Sequence, residues 1–391
     1  MINILDKSKC CGCEACVQVC PKNSISLERD LEGFLYPRVN HETCIDCKLC
    51  EKVCPILNQY DERRPLHTLS VLNSDEKVRI ESSSGGVFTY LAEIILKEGG
   101  VVFGAYFNSD WDVVIGSAHS IEEISKFRGS KYLQAVVGNS FKECEGYLKK
   151  GKTVLFSGTP CQISGLKHFL RKPYQNLLTV DFVCHGVPSP GVWKQYLYEK
   201  VGSDLSAIHD VRFRDKRKGW RKFNFVLEFS KDDNVFKIAT EHYRNTYMRA
   251  FLSDLILRPS CYSCNFKCGR SHSDITIADF WGAEHFVPEV DDDKGLSIVM
   301  INNEDWHSIF DNNRITCHPV NYKDIQVYNT AIFKPSVPHP KREVFFSSLE
   351  QTDSLEKLIL KHLKPSLGQR INSLKKIIKV SVSRIVRKTT E

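Results

Sequence analysis

Two stretches near the start of the chain share one spacing: Cys10, Cys13, Cys16 and Cys20 followed by Pro21, and Cys44, Cys47, Cys50 and Cys54 followed by Pro55. In the pattern C-x2-C-x2-C-x3-C-P, three thiolates on a tight loop clasp one face of an iron–sulfur cube. The fourth, placed at the start of the next helix, reaches the cube of the other repeat. The spacing therefore assigns Cys10, Cys13, Cys16 and Cys54 to one [4Fe–4S] cluster, and Cys44, Cys47, Cys50 and Cys20 to a second. Between the repeats, strands at 24–27 and 34–37 flank a turn at 30–33, which predicts a hairpin joining two pseudo-repeats. Zinc also takes sites of four cysteines, but the doubled spacing and the two prolines disfavour it. Cys11 breaks the pattern and reads as a bystander whose side chain points away from its neighbour's cluster.

Nine of the sixteen cysteines fall before residue 55, a poor distribution for a disulfide framework. The start, MINILDKSKCCGC, has no apolar h-region, and no apolar run approaches the ~20 residues of a membrane span. Such a chain keeps its thiolates for metals, and cytoplasm is the expected compartment. The net charge of +7 is local: residues 370–391 carry seven Lys and Arg against Glu391 alone. A nucleic-acid binder would spread its basic surface over a folded face, so no nucleic-acid partner is expected. Within 366–391, Ile371, Leu374, Ile377, Ile378, Val382 and Ile385 recur at helical spacing between basic residues. This basic amphipathic tail suits peripheral contact with an anionic membrane, and equally docking on its own domain or on a partner.

At 391 residues there is room for two or three domains. The chain divides into a cysteine-rich module (1–57), a polar linker (58–68) and a long α/β region (69–365). The patterns predict helices at 87–97 (capped by Ser82–Ser84), 140–150, 160–170 and 190–201. Strands are predicted at 101–107, 112–118, 153–157, 177–183, 207–213, 223–229, 274–280 and 297–301. These do not alternate regularly, so the fold class is α+β: a ferredoxin-like module followed by a domain with a mixed sheet. Residues 146–153 satisfy the P-loop expression G-x4-G-K-S/T. A helix precedes them and a strand follows, the reverse of a working P-loop, so the match is chance. No G-x-G-x-x-G occupies a strand–helix turn.

A second cysteine group comprises Cys261 and Cys264 in a CxxC, with Cys268 four residues later. Cys161 opens a predicted helix, and Cys184 ends an apolar strand. The CxxC points to a metal or redox site; a thioredoxin-like dithiol would need a βαβ context that is missing. Spacing alone leaves open which distant cysteine completes the set, while Cys144 and Cys317 read as small buried hydrophobes. Ser82–Gly86 offers N–H groups to an anion or is a plain helix cap. The segment Arg128-Gly129-Ser130-Lys131-Tyr132 suits phosphate or solvent. Ser157–Pro160 lies between strand and helix, where α/β folds bind ligands.

Together, SSSGGVF, RGSKYLQ, VLFSGTPCQISGLK, DFVCHGVPSP, Gly219-Trp220 and RPSCYSCNF…SDITIADFWG resemble the family of coenzyme F420 hydrogenase/dehydrogenase beta subunits, from about residue 80 to 285. The resemblance implies FAD and a third [4Fe–4S] cluster, the latter on Cys161, Cys184, Cys261 and Cys264 with Cys268 in reserve. It implies FAD against Ser84, Gly85 and Gly86, near Arg128, Ser130, Lys131 and the Gly158-Thr159-Pro160 turn, with Arg270 and Asp279 finishing the pocket. The implied activity is electron exchange between a two-electron carrier or substrate, coenzyme F420 or a nicotinamide, and a one-electron partner such as a ferredoxin. A flavin belongs between them because it handles both hydrides and single electrons. The direction of flow stays open, and the other reading is a non-catalytic protein that wires a partner enzyme.

Overall fold

The two cysteine loops bracket a short hairpin in which β1 (Ile25–Arg29) pairs antiparallel with β2 (Leu35–Val39). Asp30 closes its turn by accepting the N–H groups of Glu32 and Phe34. Each loop leads into a short helix, α1 (Ala15–Val19) or α2 (Leu49–Lys52). Both helices are entered through a left-handed residue, Glu14 and Lys48, each with φ 62°. The sequence repeat is thus a repeat of backbone conformation. One detail differs from expectation: Cys20 follows the last residue of α1, and Cys54 follows α2, so the fourth cysteine comes after a helix instead of opening one.

The computed structural model describes residues 1–364; the basic amphipathic tail predicted at 366–391 lies outside the described residues. After the module come β3 (His67–Asn73), α3 (Glu76–Glu81), α4 (Val87–Lys97), β4 (Val101–Phe107), β5 (Val113–Ala118) and α5 (Ser140–Lys149). They are followed by β6 (Val154–Gly158), α6 (Pro160–Leu170), β7 (Leu177–Phe182) and α7 (Pro190–Val201). The remaining strands are β8 (Ile208–Asp215), β9 (Asn224–Lys231), β10 (Asn234–Glu241), β11 (Ile275–Asp279), β12 (Ser297–Ile301) and β13 (Ile315–Pro319).

Eight of these strands form one mixed sheet in the order β13-β3-β12-β11-β7-β6-β4-β5. Its centre, β4, β6, β7 and β11, is parallel, and the flanking pairs are antiparallel. The near-continuous apolar runs of β6 and β7 suit a sheet covered on both faces. Leu155, Leu178 and Val180 meet Tyr90 and Leu91 of α4 on one face. On the other, Phe103 and Phe156 meet Phe141 of α5 and Ile163 of α6. α5 runs directly into β6, so the 146–153 segment has the helix-then-strand order that excludes a P-loop. A separate sheet, β10-β9-β8, is wholly antiparallel.

The predicted cap of α4 is corrected. Ser82 ends α3, donating its N–H to the carbonyls of Val78 and Arg79, and the N-cap of α4 is Gly86 (φ 83°), with no side-chain cap. Ser83 and Ser84 therefore lie in a loop between two helices.

The cysteine-rich module shares its core with the large domain: Cys11, Cys13, Ala15 and Val53 pack in the same cluster as Phe141, Ile163 and Leu166. Polar contacts fix the register. Glu14 accepts the N–H groups of Val137 (3.0 Å) and Gly138 (2.9 Å), and Gln18 Oε1 accepts that of Phe141 (3.0 Å).

Candidate iron–sulfur and cofactor sites

Cys20, Cys44, Cys47 and Cys50 line one cavity of the module. Backbone N–H groups of Ser24 and Ile2 reach the Cys20 and Cys50 sulfurs, each at 3.3 Å. Cys47 is exposed, so this set is open to the outside. Cys10, Cys13, Cys16 and Cys54 gather deeper. Burial, with the crowding of their neighbours' sulfurs, pushes the Cys16 and Cys54 thiols up. Thiols that resist deprotonation when crowded in this way become thiolates when a metal supplies the balancing charge, so both sets fit iron–sulfur clusters.

The second cysteine group converges from three places. A capping box of Thr159 and Gln162, with Pro160 at the first position, starts α6 and sets Cys161 in its first turn. Cys184 lies two residues beyond β7, while Cys261 and Cys264 sit on the turn at Pro259–Ser263 and its end. All four line one cavity, with Pro160, Phe182 and Phe266. The N–H of Val187 reaches Cys261 Sγ at 3.4 Å, and burial pushes that thiol up to about 12. Burial raises Cys184 further, against the opposing pull of nearby Lys267. The donor set fits a metal cluster by the same argument.

Cys11 is not a bystander. Buried, it lies within hydrogen-bonding reach of both Cys13 and Cys161 and lines the second cavity. It occupies the position that Ile45 holds in the second loop, and its sulfur lies inward, between the two groups. Cys268 lies off the cavity that Lys267 and Gly269 line, next to Glu62. Cys144 is buried in α5 and Cys317 is half-buried in β13, each apart from both groups.

The loops singled out as ligand loops largely meet. Ser83 Oγ accepts both the N–H (2.7 Å) and the hydroxyl (2.9 Å) of Ser130. Ser84 donates to Leu296 O, and Gly85 N–H donates to Ser297 Oγ. A Cβ at Gly85 would lie 2.8 Å from Ser297 N, which reserves that position for glycine. The cations are engaged within the protein. Arg128 pairs with Glu81, and Lys131 donates to the carbonyls of Phe127, Arg128 and Gly129 while burial pulls its ammonium down to about 7. Gly158 and Thr159 follow β6, with Thr159 Oγ1 3.1 Å from Cys161 Sγ. Asp279, ending β11, binds Arg214 through both oxygens (2.8 and 3.2 Å) and accepts Trp220 Nε1–H. Arg270 is placed elsewhere, in an ion pair with Glu62 at 3.0 Å.

Several residues at these sites carry no local signal. Arg214 has a buried guanidinium 4.2 Å from the Phe223 ring and donates to Ser83 O. Lys216 donates to the carbonyls of Arg79, Ser84 and Lys294. In sequence both lie in the charged run 214–218, which the motifs above do not include. Trp281 stacks on Trp220 at 4.8 Å, and the Gly-Trp pair at 219–220 is the only hint of that stack in the sequence.

A doubled loop–helix module with eight converging cysteines, joined to a mixed-sheet domain with four more, defines an iron–sulfur protein of the electron-transfer class. Residues 9–57 match the 4Fe-4S dicluster domain. Residues 151–321 match the family described as the C terminus of the coenzyme F420 hydrogenase/dehydrogenase beta subunit. The chain is 23% identical over 168 residues to the F subunit of the F420H2 dehydrogenase of Methanosarcina mazei, covering 41% of this chain and 48% of that protein. It thus spans about half the length of that relative. An uncharacterized protein of Methanocaldococcus jannaschii is 23% identical over 338 residues, covering 77% of this chain and 85% of its own. A solved F420-reducing [NiFe] hydrogenase complex from Methanosarcina barkeri aligns with TM-score 0.44 and 15% identity, covering 80% of this chain and 92% of that one. Among the described residues, no helix is long and apolar enough to cross a membrane.

Proposed function

We propose that this chain is an oxidoreductase passing electrons between a two-electron carrier or substrate and a one-electron protein partner such as a ferredoxin. Its clusters are held by Cys10, Cys13, Cys16 and Cys54, by Cys44, Cys47, Cys50 and Cys20, and by Cys161, Cys184, Cys261 and Cys264. The observation that carries this reading is Cys11, which lies between Cys13 and Cys161 and so joins the inner set to the module. The three sets then form a row whose outer end, at exposed Cys47, faces a partner. FAD is proposed against Ser84, Gly85 and Gly86, where it would supply the exchange between hydride and single-electron chemistry. There the chain's own residues shape the seat. Gly85 lets its loop lie close against Val71 and Ser297, the Ser83–Ser130 contact fixes the two loops together, and Asp279 neutralises Arg214. Reduced coenzyme F420 or a nicotinamide is the proposed hydride source, and the cytoplasm the proposed compartment.

One observation favours the alternative, a non-catalytic protein that only relays electrons to a partner enzyme: Arg128 and Lys131 already have partners within the protein. Anaerobic stopped-flow mixing of the reconstituted chain with reduced F420, NADH, NADPH and reduced ferredoxin separates the two. Bleaching by a hydride donor at flavin and then cluster wavelengths supports the oxidoreductase. Bleaching by reduced ferredoxin alone, at cluster wavelengths and with no flavin signal, supports the relay.

A further inference from the structure

Arg258 has no exposed surface, and among the described residues no carboxylate lies within ion-pairing distance of it. Its guanidinium is nevertheless fully engaged. Nε donates to Cys10 O (2.8 Å), Nη1 to Gln134 Oε1 (2.8 Å) and Nη2 to Leu35 O (3.0 Å), with Cys10 Sγ at 3.5 Å from Nη2. The Tyr36 ring centroid is 4.1 Å from its central carbon. Gly12 (φ +71°) makes room, since a Cβ there would lie 3.1 Å from that carbon. Arg258 O in turn accepts the N–H of Cys261 (2.9 Å), so this residue stands between the module's inner cysteines and the second group.

A buried cation without an anion is costly. The hydrogen-bond partners of this guanidinium are neutral except the cysteine sulfur, and the buried carboxylate that feels its charge, Glu14, accepts the Val137 and Gly138 N–H groups instead of pairing with it, so the contacting negative charge comes from the cysteine side. Resting on the cluster reading above, we infer that Arg258 is the fixed counter-charge of the cluster on Cys10, Cys13, Cys16 and Cys54, and that it raises that cluster's reduction potential. Reduction adds one electron to an already anionic centre, with no bond made or broken. A positive charge close to a ligand sulfur, in surroundings that screen poorly, stabilises the more negative state. Among the described residues the outer set has no such contact: the donors to its Cys20 and Cys50 sulfurs are backbone N–H groups. Arg258 is thus a positioning residue for electron flow, favouring residence of the electron in the middle of the row.

The test is an EPR-monitored dithionite titration of the full, reconstituted chain. Arg258→Met should lower the midpoint of one transition, while Arg258→Lys should stay nearer the wild type. Gln134→Glu keeps the arginine but places a carboxylate on it, and should shift the same transition in the same direction. The transition lost in Cys47→Ala marks the outer cluster and should not move in any of these variants. Fully loaded Arg258→Met and Gln134→Glu proteins with wild-type midpoints would overturn the inference. If Arg258→Met fails to hold iron, Gln134→Glu decides by the same criterion. A wild-type chain that takes up no iron would overturn the cluster reading itself, and this inference with it.

Discussion

Gly165 of α6 packs directly on Cys13: a Cβ at position 165 would lie 2.9 Å from the Cys13 Cβ and 3.0 Å from its sulfur. The same helix carries Cys161 in its first turn. One rigid element therefore touches both the module's inner cysteine set and the second cysteine group, and the spacing between them is set by helix geometry instead of by a loop. Gly165→Leu should force the module away. Overpacking of this kind costs about 1–3 kcal/mol, to be read as a lower denaturant midpoint, with slower bleaching of the inner cluster by reduced ferredoxin.

Alanine at Cys161, Cys184, Cys261 or Cys264 should each lower the iron content from about twelve to about eight atoms per chain, the loss of one cube. Cys268→Ala and Cys144→Ala should leave it unchanged, since neither sulfur lines the cavity. Iron assay after anaerobic reconstitution reads the difference.

Asp279→Asn should be strongly destabilising. Arg214 has a side chain only 3% exposed, and Asp279 is its ion-pair partner, so the amide strands a buried cation. Removing one partner of a buried pair typically costs about 3–5 kcal/mol, seen as a lower melting temperature. Bound flavin should fall with it, because Arg214 also holds the Ser83 carbonyl.

Asp181 gives a pH signature. Burial raises its carboxyl above the usual carboxylate range, against hydrogen bonds that include one from Ser273 at 2.8 Å. The folded chain thus holds a proton that the unfolded chain has released. Its stabilising contribution is complete below the ordinary aspartate value and fades as pH rises through the raised one. Asp181→Asn should flatten this decline, with its largest gain over the wild type at the alkaline end. Urea midpoints at pH 5 and pH 8 measure it, and equal shifts at both would count against the assignment.

The parts legible from sequence are those specified locally. The helices at Pro160–Leu170 and Pro190–Val201 each announce themselves with a Thr or Ser N-cap and a Pro at the first position, and both form with those bounds. The hairpin of β1 and β2 follows from the Asp30–Gly33 turn. What the sequence hides depends on distant partners. β3 is rich in polar residues (His67, Thr68, Ser70, Asn73) and is a strand because β12 and β13 flank it; it begins at His67, inside the stretch that reads as linker. β10 is mostly exposed and is held by pairing with β9. The three serines before α4 suggest a local cap, whereas Ser83 and Ser84 bond to Ser130 and Leu296. Spacing cannot assign Cys11 and Arg258, since their meaning arises only where the module meets the larger domain.

The most direct test of the central claim is metal and flavin analysis, with EPR spin counting, of the full chain reconstituted anaerobically. The account predicts about twelve irons in three [4Fe–4S] clusters, bound FAD, and loss of one cluster in Cys161→Ala. About eight irons, no flavin, and a Cys161→Ala variant indistinguishable from wild type would contradict it.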